Sequence, residues 1–353
     1  PQALANVINA FANADVVNPD LTFGITLHLR VGDAVPEISP ILFSNDGPGL
    51  TDDFNDLKRG NPPVPCGPSA TGFFGTALDR ADSNYPAILK ARAMVFRYAI
   101  FGHNQAPSPL NPLVANTSSG KAEIGGNDFL VTLGGWGNNS ILAGGGSQNL
   151  TLARIEVEAG TFMHEFGHTL NLRHGGADHI NCKPNYLSVM NYSFQTRDLV
   201  VNRPLDFSFP RLPALDENQL DETIGIQGPA GQRTVFQAFL PSGSFWTIGD
   251  SNGPINWNQD NDKTDLALSL DISNIVQKPA CATNQKTFLT GFDDWSNLLY
   301  SFLHSPDFAD GSSRSTVGFD PEPTDTETLA SAQAGDFDGD GITNFPDNCP
   351  AIA

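Results

Sequence analysis

Three histidines and one glutamate near the middle of the chain have the residue types and spacing of a catalytic zinc site. His164, Glu165 and His168 form the pattern H-E-x-x-H, and His174 follows six residues after His168. Three neutral imidazoles leave one position of a tetrahedral zinc ion open, which is typical of catalytic rather than structural sites. Two histidines that only pack within a helix would be the simpler interpretation, but it leaves His174 without a role. The pattern therefore predicts a zinc site with Glu165 as a general base.

One helix is needed to hold the first part of this pattern. Residues four apart on an α-helix are separated by about 40° around its axis, so His164 and His168 face the same side. His174 would point away from them if the helix continued, and the helix must therefore end first. Asn171 stands at the expected break, because asparagine tolerates the left-handed conformation that ends many helices. We expect the helix to begin near Ile155 or Glu156.

A second pattern, SVMNY at residues 188–192, follows the histidines and carries Met190 and Tyr192. Together with HEFGHTLNLRH at 164–174, it resembles the metzincin clan of zinc endopeptidases, whose pattern is H-E-x-x-H-x-x-G-x-x-H followed by a turn containing methionine. The chain has Asn171 where the clan has glycine, and the pappalysin-like and serralysin-like groups are the nearest comparisons. The resemblance extends from residue 164 to residue 192.

The resemblance implies a role for each of these residues. It implies that the three histidines bind zinc, that Met190 forms the hydrophobic floor of the site, and that the Tyr192 hydroxyl helps to bind the metal and to stabilise the transition state. Zinc lowers the pKa of bound water to about 7 and polarises the scissile carbonyl. Glu165 would then pass the proton of this water to the leaving amine. The expected reaction is the hydrolysis of internal peptide bonds.

The resemblance also implies an α+β fold of the zincin (metzincin) type, with a twisted, mostly parallel sheet, the active-site helix, and a C-terminal subdomain that carries the methionine turn. The predicted organisation is an N-terminal catalytic subdomain with the zinc helix (1–176), a C-terminal catalytic subdomain (177–308), a linker (309–334) and a calcium-binding repeat (335–353). The linker is predicted because its composition turns to Ser, Thr, Asp, Pro and Ala, with few large apolar side chains.

Hydrophobic periodicity predicts the elements that support the site. Alternation of apolar and polar residues predicts a strand at 25–31, and apolar residues at helical spacing predict a helix at 85–97. Further strands are expected at 96–101 and 128–133. The glycine-dense segment 134–146 is predicted to be a loop, because glycine disfavours regular elements.

The segment DFDGDGITNFPD (336–347) has the oxygen-rich pattern of an EF-hand-type calcium loop, with Gly341 at the turn position. With the following NCP it resembles a thrombospondin type 3 repeat. The resemblance implies that calcium is bound by Asp336, Asp338, Asp340, Asn344, Asp347 and the main-chain carbonyl of Ile342. Such repeats occur in arrays, so we expect further calcium-binding repeats or domains beyond the C-terminus.

A second acidic segment, WNQDNDKTD (257–265), places Asn258, Asp260 and Asp262 at alternate positions. Lys263 replaces the glycine that a calcium loop of this type carries. We therefore interpret this segment either as a second calcium site or as a polar turn.

Composition excludes several classes of protein. The 353 residues, 39% of them hydrophobic, are enough to bury a full core. A formal net charge of -20 without a basic cluster argues against nucleic acid as a partner, and no apolar run reaches the roughly 20 residues that span a bilayer. The four cysteines are too widely spaced for a metal knuckle, which favours disulfides in an extracellular protein, with Cys182–Cys281 as the preferred pair.

These patterns together predict a secreted zinc endopeptidase that acts on a protein or peptide substrate and also binds calcium. Two alternatives stay open. One is a calcium-dependent cell-surface or adhesive binding protein that retains a non-catalytic zincin domain. The other is a zinc peptidase that acts only on the ends of chains.

Overall fold

The computed structural model describes residues 1–43, 53–60, 72–107, 110–200, 202–240, 243–276, 278–281, 285–308 and 322–334. Its helices are α1 (Gln2–Ala12), α2 (Asp53–Arg59), α3 (Ala77–Ala81), α4 (Tyr85–Ala93), α5 (Asn138–Gly145), α6 (Leu150–Thr169) and α7 (Asp325–Ala334). Its strands are β1 (Tyr98–Phe101), β2 (Gly120–Ala122), β3 (Asp128–Val131), β4 (Leu215–Asp216), β5 (Arg233–Leu240), β6 (Gly243–Asp250) and β7 (Phe288–Leu289). The part described is thus mixed α/β with small sheets, which agrees with the general class that the sequence predicts.

Helix α6 is the central element of the largest hydrophobic core. It begins earlier than predicted, because the side chain of Asn149 accepts hydrogen bonds from the backbone N–H groups of Thr151 and Leu152 and so caps the first turn. Its apolar side packs between helix α1 and the three-stranded sheet. Phe11 of α1 and Phe166 of α6 meet there, with ring centroids 5.5 Å apart. The histidines of α6 are therefore held by a helix that is packed along much of its length.

The sheet beside α6 has the strand order β1-β3-β2. Strands β1 and β3 are parallel, whereas β2 and β3 are antiparallel. The prediction of a mostly parallel sheet is wrong for this sheet, because β2 and β3 are joined by a short connection, and a parallel pair needs a crossover of a dozen or more residues. In this strand order β2 lies at an edge of the sheet, next to α6.

Periodicity predicted some supporting elements correctly. The predicted helix at 85–97 corresponds to α4, and the predicted strands at 96–101 and 128–133 correspond to β1 and β3. The strand predicted at 25–31 is wrong, since this segment pairs with no strand in the part of the chain that the structure describes. The segment is extended, and every second side chain, Ile25, Leu27 and Leu29, packs against the core. The alternation of apolar and polar residues therefore reflects this packing and not a place in a sheet.

The prediction of a loop at 134–146 is also wrong, because this segment contains helix α5. The helix lies against α6, and a methyl group added to Gly145 would overlap Ala153. Gly144 similarly faces the backbone carbonyl of Thr196 and the side chain of Thr328. The glycines thus allow neighbouring elements to pack closely against α5. This contact depends on the tertiary structure, so the helix propensity of the local sequence could not predict it.

The segment 322–334, predicted as part of a linker, instead forms α7 and the extended residues before it. A capping box starts the helix: Glu327 accepts from the Thr324 backbone N–H, and Thr324 Oγ1 accepts from the Glu327 backbone N–H. The small residues Thr328, Ser331 and Ala332 are buried. Trp246 Nε1 donates to the Ser331 carbonyl at 2.7 Å. The linker was predicted because the segment has few large apolar side chains. Helix α7 is instead packed against the protein through small side chains.

The chain after α6 has long irregular segments, the antiparallel pair β5 and β6, and the short pair β4 and β7. The predicted Cys182–Cys281 disulfide is confirmed, with the two cysteines 99 positions apart in the sequence and a Cα–Cα distance of 5.6 Å. Among the residues described, no helix is long and apolar enough to cross a membrane. The predicted calcium loop at 336–347 lies outside the described residues, and the predicted domain boundaries stay a prediction.

Candidate metal centre

His164, His168 and His174 converge on one point, as their spacing predicts. The Nε2 atom of His168 lies 3.1 Å from the Nε2 atom of His164 and 3.1 Å from that of His174. All three residues are buried. The three nitrogens therefore present a compact set of metal-binding atoms inside the protein.

The other ring nitrogens fix how these imidazoles carry their protons. Nδ1 of His164 lies 2.7 Å from the Val189 carbonyl, and Nδ1 of His168 lies 2.8 Å from the Leu172 carbonyl. A carbonyl can only accept, so each neutral imidazole carries its proton on Nδ1. When both rings are in this neutral form, their Nε2 lone pairs face one another, and a cation at their centre would be bound by both.

The turn after α6 brings His174 back to the helix. Asn171 has a φ of 70°, which confirms the predicted left-handed break. Its N–H donates to the His168 carbonyl at 2.8 Å, and the Leu172 N–H donates to the Gly167 carbonyl at 3.1 Å. These two bonds form a Schellman motif, with asparagine in the position that glycine usually takes. The motif therefore satisfies the last carbonyls of α6 while reversing the chain.

Burial sets the charge of the third imidazole. It lowers the pKa of His174 to about 4, although the nearby Glu322 carboxylate acts in the opposite direction. His174 is therefore neutral at physiological pH, and the neutral form is the one that binds metals.

Glu322, just before α7, completes the group. Its Oε1 atom lies 3.0 Å from His174 Nε2 and 3.3 Å from His168 Nε2, and its Oε2 atom lies 3.0 Å from His164 Nε2. In tetrahedral zinc sites, metal–ligand distances near 2.0–2.1 Å place adjacent ligand atoms about 3.3 Å apart. The two Nε2–Nε2 distances from His168 and the three distances to the carboxylate oxygens are close to that value. The four side chains can hold a metal ion.

Glu165 lies next to this group, between α6 and the edge strand β2. Its side chain is fully buried, and neither carboxylate oxygen has a hydrogen-bond partner among the described residues. A methyl group added to Gly120 of β2 would overlap this carboxylate, so the glycine makes room for it. Burial, and secondarily the Glu322 carboxylate, raise the pKa of Glu165 well above its usual value. A buried carboxylate without partners normally costs free energy, which is typical of a functional site.

Met190 packs against the helix that carries His164 and His168, and Tyr192 packs against His164 and His174. Met190 is buried against α6, where a methyl group added to Gly167 would overlap its sulfur atom. The Tyr192 ring is buried as well, with its centroid 4.4 Å from that of His174 and 5.7 Å from that of His164. The structure therefore brings both residues of the SVMNY pattern to the histidine group.

A second group of carboxylates lies near the protein surface. The predicted residues Asp260 and Asp262 come together with Glu222, and this group is also able to hold a cation. The amide of Asn258, which was predicted as a third calcium ligand, donates to the carboxylate of Asp260 at 3.1 Å. Glu222 accepts from the backbone N–H groups of Trp257 and Asp265. The carboxylate oxygens of Glu222 and Asp260 therefore already accept hydrogen bonds from residues of the 257–265 segment.

Sequence reasoning missed Glu322 and Glu222 as members of these groups. The only local signal near Glu322 is the T-x-x-E pattern of Thr324 and Glu327, which predicts a helix start and not a metal ligand. Glu322 is separated from His174 by 148 residues, so their proximity depends on the tertiary fold. Comparison of the chain with protein-family models, curated proteins and solved structures found no match.

Proposed function

We propose that the protein is a secreted zinc endopeptidase that hydrolyses internal peptide bonds of protein substrates. The observation that carries this proposal is the convergence of three buried Nε2 atoms beside the Glu165 carboxylate, whose oxygens accept no hydrogen bond from any described residue. His164, His168 and His174 would hold the zinc ion. Bound there, zinc supplies a Lewis acid that polarises a carbonyl and makes water a nucleophile at neutral pH.

The residues around the metal have separate tasks in this reaction. Glu165 takes a proton from the attacking water and delivers it to the leaving amine. Burial raises the pKa of the Glu165 carboxyl above its usual value, which makes the carboxylate a stronger proton acceptor. Tyr192 lies beside His174 and donates a hydrogen bond to the oxyanion that develops on the substrate. Met190 packs against α6 at Gly167 and forms the hydrophobic floor of the site.

The first experiment compares the wild type with Glu165→Gln. Both proteins should bind one zinc ion per chain by elemental analysis, and only the wild type should cleave denatured casein at internal positions. The substitution retains the shape of the side chain but removes the base. A chelator should abolish the wild-type activity, and added zinc should restore it. Full activity of Glu165→Gln would rule the proposal out.

A second candidate function is supported by the position of Glu322. Four protein ligands make a closed site, and closed zinc sites are structural. In that case the chain would be a calcium-dependent binding protein whose zinc domain has no turnover. Zinc binding without cleavage, in the wild type and in variants that open the fourth position, favours this candidate.

Mass spectrometry of the products separates the endopeptidase from a peptidase that acts on chain ends. Internal fragments support the endopeptidase, whereas stepwise loss of terminal residues supports the exo-acting enzyme. Secretion and calcium binding at 336–347 belong to the same proposal. They follow from the sequence patterns described above.

A further inference from the structure

The residues before α7 form an extended segment, and its start is set by local sequence. Glu322 precedes Pro323, and a residue before proline favours extended backbone over helix. The helix starts only after Thr324, with the capping box described above. Glu322 therefore projects from a short extended stretch that is held at its C-terminal end by a helix.

This stretch pairs with the chain just before the edge strand β2. Ser119 N–H donates to the Pro323 carbonyl at 2.8 Å, and Ser118 and Thr324 form an antiparallel bridge. The Asp325 N–H donates to the Thr117 carbonyl at 3.2 Å. On its other side, Ser119 accepts a bond from the N–H group of Thr132, which follows β3. Residues 322–325 thus lie along the sheet edge as an added strand would.

Helix α7 fixes the segment in this position. The Asp325 carboxylate accepts hydrogen bonds from the Gly137 N–H and from the Ser140 hydroxyl at the start of α5. Farther along α7, the Ser331 carbonyl accepts from Trp246. Helix α7 is therefore fixed near both of its ends, and it holds the segment before it in place. The Glu322 side chain on this segment is only 2% exposed.

The contacts of Glu322 fit a shared metal better than a set of hydrogen bonds. Its Oε2 atom lies 3.0 Å from His164 Nε2, yet it accepts no hydrogen bond from the described residues. Its Oε1 atom lies 3.3 Å from His168 Nε2 and 3.0 Å from His174 Nε2, so the two oxygens together contact all three ring nitrogens. Nitrogen and oxygen lone pairs that face the same point are the arrangement of ligands around a cation.

We infer that Glu322 is the fourth protein ligand of the metal, and that residues 322–325 close the metal and the adjacent sheet edge to external ligands. This inference rests on the proposed zinc site. An extended peptide that binds to a sheet edge uses the same backbone groups that Ser119 and Thr117 give to this segment. A substrate must therefore displace the segment from the edge and the Glu322 carboxylate from the metal. The protein is self-inhibited until that exchange occurs.

The test uses the full chain loaded with cobalt(II), whose visible absorption reports the number and type of its ligands. The probe is acetohydroxamate, a small bidentate metal ligand that needs open coordination positions. Wild type, Glu322→Gln and Glu322→Ala are compared. We expect both variants to change the cobalt spectrum, to weaken zinc binding by at least about tenfold, and to bind acetohydroxamate at concentrations that leave the wild-type spectrum unchanged.

Two further variants guard against loss of folding and against a general charge effect. Asp325→Ala removes the anchor to α5 but no metal ligand, so it should admit acetohydroxamate while the cobalt spectrum without the probe stays that of the wild type. Glu327→Gln makes the same charge change five residues further on, in helix α7, and can still accept from the Thr324 N–H, so it should behave as the wild type. Circular dichroism checks that each variant is folded.

The outcomes separate this inference from the proposed function. A wild-type protein that binds acetohydroxamate as readily as Glu322→Ala, or a cobalt spectrum that the Glu322 substitutions leave unchanged, would overturn the inference. If Glu322→Ala opens the metal to acetohydroxamate but cleaves no protein, the fourth ligand stands and the endopeptidase proposal fails. If Glu322→Ala also cleaves casein at least about tenfold faster than the wild type, both stand.

Discussion

The two groups of candidate metal ligands in the described residues differ in what their atoms already contact. The histidine group is buried, and its Nε2 atoms and the Glu322 carboxylate point at one another. In the acidic group, Asp260 and Asp262 are exposed. Asp262 already accepts from the backbone and hydroxyl of Thr264. In the histidine group the candidate ligand atoms contact one another, whereas in the acidic group they contact the backbone and side chains of the loop.

This difference indicates how strongly each group should bind a cation. In the buried group, second contacts such as the bond from His164 to the Val189 carbonyl orient the ligands before any metal arrives. In the acidic group, a cation must compete with water and with hydrogen bonds from the loop itself, including the bond from Asn258 to Asp260. We therefore expect tight binding at the histidines and weak binding at the acidic loop.

The largest effect is expected for His168→Ala. Its Nε2 atom is 3.1 Å from the Nε2 atoms of both other histidines, so its loss removes the central ligand. Zinc affinity should fall by at least about 100-fold, and zinc should no longer raise the melting temperature. Competition with a coloured chelator and thermal unfolding measure the two effects. His179→Ala is the matched control, since His179 lies on the turn after the site and outside the metal-binding group. Equal zinc affinity in both variants would contradict the assignment of the site.

A smaller effect, on activity alone, is expected for Gly120→Ala. The added methyl group would overlap the Glu165 carboxylate, whose side chain must rotate away because the glycine belongs to a hydrogen-bonded strand. Zinc affinity should stay within about twofold of the starting protein, while kcat/KM on a peptide substrate falls by about 10- to 100-fold. The measurement is best made in the Glu322→Ala background, in which the metal is open.

Gly32→Ala controls for the loss of a glycine, since, apart from its two chain neighbours, no described residue has an atom within 4 Å of the position that a Cβ would take there. Unchanged kcat/KM in Gly120→Ala would show that Glu165 is not the base. Loss of zinc instead of activity would show that β2 supports the ligands and not the carboxylate.

The part of the site that the sequence could predict is the part that depends on local rules. The spacing of His164 and His168 on a helix and the left-handed break at Asn171 involve residues that are close in sequence, and both are confirmed. Glu322 escaped prediction because its position depends on the pairing of its segment with residues 117–119, which are some 200 residues away. For the same reason helix α5 was not predicted: its glycines allow close contact with a neighbouring helix, and the local sequence alone suggests a flexible loop.

The smallest effect is expected for the acidic group, and it tests the other side of the comparison. The double substitution Asp260→Asn and Asp262→Asn removes two of its three carboxylates while the loop keeps side chains that can accept the same hydrogen bonds. We expect calcium binding at this loop only in the millimolar range, so that 10 mM calcium stabilises the wild type over the double variant by about 1 kcal/mol. Zinc affinity should be identical in the two proteins. Thermal unfolding at several calcium concentrations gives the difference, which cancels the contribution of any calcium bound at 336–347. A calcium site of micromolar affinity that disappears in the double variant would show that loop hydrogen bonds do not prevent tight binding, and the contrast between the two groups would then reduce to ligand type alone.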